Sequence, residues 1–468
     1  MPPKFGTSGL RGLVTDLTDP LCAGYTFAFL RGAETNGTVL IGRDMRASSP
    51  RMAAAVASGA ARLGLRALDC GVLPTPALAL LATARGTAAV MVTGSHIPDD
   101  RNGLKFYTRH GEITKDDEAA ITAGVAELDL TAAVDTAELV PETAALSAFT
   151  DRYTSFFPSD YLAQMRIGFY EHSSAARACL GAILTGLGAD CISLGPSDRF
   201  IPVDTEAVDP STQDMLAGWA RDHRLDAIVS TDGDADRPML ADAQGQIIPG
   251  DRLGPLTALA IGATDLVTPV SSNTLVDAMG SFTVHRTRIG SPHVIAGMQA
   301  ARTAGAKAVA GYEANGGFLT GFTASRDGRS LPPLLTRDSV LPLIAPLGLA
   351  RDRGLTLAAL NATLPARFTA TDRLVGVETD ASARLIRSID DDGPARTELF
   401  EGLGTVAAVD RTDGFRATLA DGRIAHLRPS GNAPECRVYA EAESPEAAHA
   451  LQSEVMSRVA RMLDGGAR

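Results

Sequence analysis

Short apolar runs that end in polar, glycine-containing turns recur along the chain, and this pattern predicts buried β-strands followed by loops. The apolar run 89–92 leads into the turn 93–96, which carries Ser95, and the run 39–42 leads into the polar sequence GRDMRASSP. Further strands are predicted at 166–170, 190–194, 225–230, 282–286, 306–309, 423–427 and 436–440. Loops at strand ends are where α/β proteins place much of their chemistry, so these turns are the first candidates for a site.

Apolar residues at helical spacing alternate with these strands and predict the connecting helices. Thr114 and Asp117 have the spacing of a capping box, and Ser444 with Pro445 marks the start of a last helix. The predicted helices span about 50–65, 114–128, 175–187, 213–223 and 445–463. The alternation predicts an α/β fold of three similar mixed α/β domains and a C-terminal α+β domain, at 1–147, 148–250, 251–365 and 366–468.

Composition narrows the function classes. The chain has 468 residues, 45% hydrophobic and 21% charged, which is typical of a globular protein with several cores. Its net charge of −12 argues against a nucleic-acid partner. The absence of an 18-residue apolar run and of an apolar N-terminal core predicts a cytoplasmic protein with no membrane partner. The five cysteines show no CxxC spacing, so neither a zinc site nor a disulfide framework is indicated.

Two stretches carry candidate chemistry. The sequence DGDADR at 232–237, called here the metal loop, places Asp232, Asp234 and Asp236 at alternate positions. Such oxygen ligands favour a hard cation, most simply Mg²⁺, although a solvated acidic turn has the same pattern. Ser95 at the end of a strand is a candidate nucleophile that would need activation, and an ordinary turn serine is the alternative.

Five motifs, in order, resemble those of the α-D-phosphohexomutases. They are FGTSGLRG at 5–12, TGSHIP with NGLK at 93–105, DGDADR at 232–237, GYEANGG at 311–317 and RPSGNAPECRVY at 428–439, supported by GRDMRASSP at 42–50 and GVLPTPAL at 71–78. Because the motifs span nearly the whole chain, the resemblance is far more specific than any one of them. It implies three similar domains around a central cleft and a mobile fourth domain with a hinge near Pro365.

The resemblance implies a reaction and its parts. Ser95 would carry a phosphate, give it to the free hydroxyl of a hexose phosphate, and take back the other phosphate from the 1,6-bisphosphate intermediate. Mg²⁺ would be bound by Asp232, Asp234, Asp236 and the phosphate on Ser95, and glucose or mannose 1,6-bisphosphate would be the activator. The residues implied in proton handling and in stabilising transition-state charge are Arg11, His96, Lys105 and Arg237, which sequence alone does not rank.

Two further loops are implied to bind the substrate. The sugar loop, GYEANGG at 311–317, would use Glu313 and Asn315 on the hydroxyls, and it has Gly317 where many relatives have His. The phosphate loop, at 428–437, would hold the phosphate that is not being transferred. Its implied ligands are Arg428, Ser430, Gly431, Asn432 and Arg437.

The substrate follows from finer features of the motifs. TGSHIP, Asn432, and IPVDTEA at 201–207 are most similar to bacterial members that act on mannose phosphates, so interconversion of mannose 6-phosphate and mannose 1-phosphate is expected. Glucose phosphates, alone or as second substrates, are the alternative, because the two sugars differ only at the C2 hydroxyl. A non-catalytic sugar-phosphate sensor would be favoured by loss of a motif residue, and none is lost. A metal-dependent phosphatase would leave Ser95 unexplained.

Overall fold

A computed structural model of the chain describes residues 3–6, 9–132, 134–391, 393–430 and 434–465. It divides into two compact units. The first comprises Met1–Leu266 and Met298–Thr363, and the second comprises Val267–Gly297 and Leu364–Arg468. Several α/β sheets and a C-terminal antiparallel sheet confirm the predicted α/β class, while the four domain boundaries stay a prediction. Among the described residues, no helix is both long and apolar enough to cross a membrane.

The N-terminal part is an eight-stranded mixed sheet with helices, in the strand order β1-β2-β6-β5-β3-β4-β8 and with β7 on β6. Its strands are β1 Lys4–Phe5, β2 Leu10–Leu13, β3 Thr38–Arg43, β4 Arg66–Val72, β5 Ala88–Val92, β6 Arg101–Thr108, β7 Gly111–Glu112 and β8 Leu139–Pro141. Its helices are α1 Asp19–Gly32, α2 Ser49–Ala61, α3 Thr75–Arg85, α4 Lys115–Ala126 and α5 Ala144–Phe156. Because β3 and β5 are parallel neighbours, their C-terminal loops emerge at the same edge.

The second sheet, in the order β10-β9-β11-β12-β13, delivers the metal loop. Its strands are β9 Arg166–His172, β10 Asp190–Pro196, β11 Ala227–Thr231, β12 Pro238–Asp242 and β13 Ile247–Ile248, with helices α6 Leu180–Gly186 and α7 Pro210–His223. The antiparallel pair β11 and β12 closes at Thr231 and Pro238. The metal loop is therefore the turn of a hairpin whose two strands are fully buried.

The third stretch of the chain contains the sugar loop. Its strands are β14 Asp265–Pro269, β15 Thr283–Thr287, β16 Val309–Tyr312, β17 Phe318–Thr320, β18 Ala324–Arg326, β19 Arg329–Leu331 and β20 Leu334–Asp338. Its helices are α8 Gly250–Ile261, α9 Leu275–Ala278, α10 Ser291–Thr303, α11 Val340–Asp352 and α12 Leu357–Ala362. The hairpin of β16 and β17 carries the sugar loop, and β17 pairs Phe318 with Asp338 of β20.

The C-terminal stretch is an antiparallel sheet in the order β21-β25-β24-β23-β22, covered by helices. It comprises β21 Phe368–Val375, α13 Thr379–Asp390, α14 Pro394–Phe400, β22 Val406–Asp410, β23 Phe415–Leu419, β24 Ile424–Pro429, β25 Glu435–Ala442 and α15 Pro445–Gly465. Leu451, Val455 and Val459 of α15 are buried in its core, as their spacing predicts. The phosphate loop connects β24 to β25.

Several predicted elements were wrong in their bounds; the helix predicted at about 50–65, for example, ends at Ala61. The helix predicted at 175–187 is a 3₁₀ turn, Ala175–Ala178, followed by the shorter helix α6, because Cys179 leaves the helical region with φ −132°. The strand predicted at 306–309 is β16, which begins at Val309. Its position is set by antiparallel pairing with β17, and an apolar run alone does not define that register.

Candidate active site

Ser95 lies in the turn after β5 with φ +55°, a left-handed conformation that costs a residue with a side chain roughly 1–2 kcal/mol. Three hydrogen bonds hold this turn. The Ser95 amide donates to Thr93 Oγ1 at 2.7 Å, and Thr93 Oγ1 donates to Asp44 Oδ2 at 2.8 Å. Arg46 Nη2 donates to the Ser95 carbonyl at 2.9 Å. The loop after β3 therefore fixes the serine that follows β5.

Arg46 is the buried centre of this support. Its Nη2 also donates to the Ile97 carbonyl at 2.6 Å, and its guanidinium lies 3.7 Å from the centroid of the Phe200 ring. A Cβ atom at Gly94 would lie only 2.6 Å from Arg46 Nε. The glycine of TGSHIP therefore leaves the space that the guanidinium occupies.

The metal loop brings its three aspartates to one point. The side chains of Asp232, Asp234 and Asp236 are buried, and one oxygen of each lies within 4.8 Å of the others. Ser95 Oγ donates to Asp232 Oδ2 at 2.5 Å. A Cβ atom at Gly233 would lie 2.8 Å from the Ser95 carbonyl oxygen, so the metal loop and the serine turn are in direct contact.

The donor set fits a hard divalent cation. Asp234 Oδ2 accepts from Thr75 Oγ1 at 2.5 Å and from Lys105 Nζ at 2.5 Å, and Asp236 Oδ2 accepts from Lys105 Nζ at 2.6 Å. The Oδ1 atoms of Asp234 and Asp236 are buried and accept no hydrogen bond from the described residues. Buried carboxylate oxygens without partners are costly, and a cation that prefers oxygen ligands would satisfy them.

Cationic side chains balance this acidic group. Burial opposes the charge of Lys105, but Asp234 and Asp236 outweigh it and raise the pKa of the ammonium. Burial also opposes the charge of Asp236, but Arg337 and Lys105 outweigh it and lower the pKa of that carboxyl. Burial and repulsion from Arg237 lower the pKa of Arg11 to about 10, which leaves it charged at neutral pH. Burial and the neighbouring Asp234 and Asp236 raise the pKa of the Asp232 carboxyl. The cations that interact with these acidic groups and with Glu313 are Arg11, Lys105, Arg237 and Arg337.

His96 adjoins the serine rather than the carboxylates. Its Nδ1 lies 3.3 Å from Ser95 Oγ, within hydrogen-bond reach. Burial, with repulsion from Arg237 and Arg11, lowers the pKa of the imidazole far below its usual range. The ring is therefore neutral at pH 7, and which of its nitrogens carries the proton depends on its partners.

The sugar loop offers a buried carboxylate, because Glu313 is only 4% exposed. The Glu313 amide donates to the Gly317 carbonyl at 3.1 Å, which closes the turn. Asn315 Oδ1 accepts from the Gly317 amide at 2.9 Å. The Asn315 side-chain carbonyl thus shapes the loop, and its Nδ2 is the group that could be offered to a sugar.

In the second unit, the described part of the phosphate loop places Arg428, Ser430 and Arg437 around the β24–β25 turn. Arg428 Nε donates to Asp413 Oδ1 at 3.0 Å, and the Ser430 amide donates to the Glu435 carbonyl at 2.9 Å. Arg437 is paired with the Glu435 carboxylate at 3.6 Å. The other two predicted ligands, Gly431 and Asn432, lie outside the described residues.

The structure groups the predicted residues of the first unit other than Asn315, whose side chain accepts its hydrogen bond within the sugar loop, and it adds three that sequence reasoning missed. The grouped residues are Arg11, Ser95, His96, Lys105, Asp232, Asp234, Asp236, Arg237 and Glu313. The missed residues are Arg46, Thr75 and Arg337. Arg46 lies in the motif GRDMRASSP and Thr75 lies in the motif GVLPTPAL, so these two motifs could have identified them as site residues. Arg337 lies in no motif.

Comparison with known proteins agrees with this geometry. Four family models of phosphoglucomutase/phosphomannomutase match in order along the chain: α/β/α domain I at residues 2–132, α/β/α domain II at 147–245, α/β/α domain III at 249–368 and the C-terminal domain at 375–458. A solved phosphoglucomutase/phosphomannomutase family protein from Burkholderia thailandensis superposes with a TM-score of 0.75 at 20% identity. That alignment covers 97% of this chain and 96% of the other.

Two relatives are closer in sequence. A phosphomannomutase of Sinorhizobium fredii is 45% identical over 461 residues, covering 96% of this chain and 97% of its own length. A phosphomannomutase of Salmonella muenchen is 44% identical over 469 residues, covering 97% of this chain and 95% of its own. The chain belongs to the phosphoglucomutase/phosphomannomutase family, the α-D-phosphohexomutases, and is an intramolecular phosphotransferase of the isomerase class.

Proposed function

We propose that this chain is a phosphomannomutase, which interconverts mannose 6-phosphate and mannose 1-phosphate through a phosphoserine at Ser95. One observation carries the proposal: Ser95 Oγ lies 2.5 Å from Asp232 Oδ2, beside the two other aspartates of the metal loop, which accept hydrogen bonds from Lys105 and Arg337. The names of the two relatives that are 44–45% identical supply the mannose specificity.

The charge balance explains why both a phosphate and a cation are required. A phosphate ester on Ser95 would add about −1.5 to −2 at neutral pH. A divalent cation bound by Asp232, Asp234 and Asp236 would add +2, so the phosphate and the cation together would change the net charge of the site little. We propose Mg²⁺ for this position, because one oxygen of each aspartate lies within 4.8 Å of the others and two of the aspartates have a buried oxygen without a hydrogen bond from the described residues. When bound, it would neutralise the charge of the phosphoryl group.

The reaction balances within one substrate. The bond between phosphorus and Ser95 Oγ breaks as phosphorus bonds the free hydroxyl of the hexose phosphate, whose proton leaves while Ser95 Oγ gains one. The resulting 1,6-bisphosphate reorients, and its other phosphate returns to Ser95 by the reverse step. Such transfers depend mainly on positioning and charge neutralisation, which Arg11, Lys105 and Arg237 are placed to supply. His96, whose Nδ1 lies 3.3 Å from Ser95 Oγ, is a candidate for handling the proton.

The substrate would be held at its hydroxyls and at its second phosphate. Glu313 is the proposed acceptor for the sugar hydroxyls, with Asn315 Nδ2 as a donor. The phosphate loop would bind the phosphate that is not being transferred, using Arg428, Ser430, Gly431, Asn432 and Arg437. Glucose or mannose 1,6-bisphosphate would restore the phosphate when Ser95 has lost it.

The decisive experiment is the intact mass of the purified protein before and after incubation with glucose 1,6-bisphosphate and Mg²⁺. We expect one added phosphate on the wild type, located at Ser95, and none on Ser95→Ala, whose mutase turnover falls on the order of 10³-fold or more. The matched control is Ser58→Ala, because Ser58 is buried in α2 and its hydroxyl donates to the Ala54 carbonyl of its own helix. It should keep both phosphate uptake and activity.

Three outcomes would redirect the proposal. No phosphate on the wild type under any condition removes the mutase mechanism and favours a sensor. Phosphate release from substrate that survives Ser95→Ala favours a phosphatase. A rate with glucose 1-phosphate equal to or above that with mannose 1-phosphate replaces the mannose assignment with a dual-specificity or glucose-specific mutase.

A further inference from the structure

The Arg337 side chain contacts both the metal loop and the sugar loop, which are far apart in the sequence. It is the next-to-last residue of β20, and its side chain is 3% exposed. Its Nη2 and Nε donate to Asp236 Oδ2 at 2.6 and 3.1 Å, and its Nη1 donates to Glu313 Oε2 at 3.3 Å. One guanidinium therefore bridges a carboxylate of the metal loop and the carboxylate of the sugar loop.

Gly317 makes room for this bridge. A Cβ atom there would lie 2.6 Å from Arg337 Cδ, 2.8 Å from its Cγ and 3.1 Å from its Cβ. The clash would fall on the stem of the arginine, which is anchored in β20 at one end and bound to two carboxylates at the other. The stem cannot swing away as an exposed side chain could. The sugar loop, which lacks the His of many relatives at 317, thus receives a cation from a neighbouring strand.

We infer that Arg337 is a positioning residue that couples the sugar loop to the metal loop. It holds the Glu313 carboxylate in one place for the hexose hydroxyls and offsets the negative charge of Asp236. The inference rests on the proposed function, because it takes Glu313 as the hydroxyl acceptor. Arg337 needs no contact with the reacting atoms for this role.

The two contacts predict effects of opposite sign. Arg337→Met keeps the length of the stem but removes the charge and the donors. Glu313 then loses its fixed position, so the KM for mannose 1-phosphate should rise roughly tenfold or more, as for other lost hydrogen bonds to charged groups. Asp236 loses an adjacent positive charge, so Mg²⁺ should bind more tightly, by about tenfold, because like charges repel less.

The test combines steady-state kinetics with calorimetric titration of Mg²⁺ into the sugar-free, dephosphorylated protein. Arg337→Lys keeps the charge but loses the planar fork, so its Mg²⁺ affinity should return toward the wild-type value while KM stays raised. Gly317→Ala displaces the stem without removing the charge, so it should raise KM and leave Mg²⁺ affinity within about twofold of wild type. The matched control is Arg326→Met, which removes an arginine ion-paired to Asp352 at 2.6 Å. It should change neither value.

Weaker binding of both Mg²⁺ and sugar in Arg337→Met, or no change in either, would overturn the inference and leave Arg337 a structural ion pair. If Arg337→Met does not fold, Arg337→Lys and Gly317→Ala provide the test. A raised KM with nearly unchanged Mg²⁺ affinity in both variants would support the inference, and any other result would contradict it. Failure of the proposed function is distinguishable, because a wild type that is inactive on every hexose phosphate still reports the Mg²⁺ affinity. Tighter Mg²⁺ binding in Arg337→Met would then support the charge role alone.

Discussion

Two arginines of the first unit are more deeply buried than two arginines of the phosphate loop in the second unit. In the first unit, the side chains of Arg46 and Arg337 are 0% and 3% exposed, and they donate to backbone carbonyls and carboxylates of the protein. In the second unit, those of Arg428 and Arg437 are 18% and 36% exposed. Buried arginines of this kind organise a site in advance, whereas accessible ones retain surface that an anionic ligand can contact. The difference predicts that Arg46 governs stability, whereas Arg437 governs substrate affinity with little effect on stability.

The largest effect is expected from Arg46→Met. This change removes the donors to the Ser95 and Ile97 carbonyls and leaves Asp44 buried without its guanidinium partner. We expect unfolding free energy to fall by about 3–5 kcal/mol, the cost of breaking a buried pair, together with loss of phosphate uptake at Ser95. Denaturant unfolding and intact mass would measure the two effects.

The control for Arg46 is Arg43→Met, at the end of β3 and three residues before Arg46. Arg43 pairs with Asp69 at 2.6 Å, but both side chains are about one-fifth exposed, so the expected loss is about 1 kcal/mol or less. Equal losses in the two variants would contradict the claim that burial separates these arginines.

A smaller effect is expected from Gly94→Ala. The added Cβ would lie 2.6–2.8 Å from the guanidinium of Arg46, which is held by two carbonyls and by the Phe200 ring. We expect a loss of about 1–3 kcal/mol by overpacking, with slower phosphorylation of Ser95 because its carbonyl must shift. Gly32→Ala is the control, since nothing lies within 4 Å of that position in α1. It should leave stability unchanged or raise it by up to about 1 kcal/mol.

The sequence predicted the chemical residues better than the residues that hold them. Ser95, Asp232 and Lys105 lie within contiguous motifs, so their identities and spacing could be recognised directly. Arg337 lies in no motif, and it reaches the sugar loop only because β17 pairs Phe318 with Asp338 of β20. Such a role depends on which strands pair, which hydrophobic patterning does not specify.

The same limit explains the errors in element bounds. The apolar run around Val309 predicted a strand, but its start was decided by the partner strand β17. The break at Cys179 depends on backbone angles that no residue type in the segment demands. Contiguous, local signals such as the Thr114–Asp117 capping box were confirmed, with both reciprocal hydrogen bonds present.

The smallest expected stability change, and the sharpest test of the comparison, is Arg437→Met. Arg437 and Arg373 are register partners on β25 and β21, and each lies 3.6 Å from the same carboxylate, Glu435. Both substitutions should cost less than about 1 kcal/mol, because both arginine side chains are at least one-third exposed. Only Arg437→Met should raise the KM for mannose 1-phosphate, by roughly tenfold or more, since only Arg437 belongs to the phosphate loop. Equal KM values for Arg437→Met and Arg373→Met would contradict the prediction that Arg437 binds the phosphate of the substrate. The proposed difference in role between the buried and the accessible arginines would then be wrong.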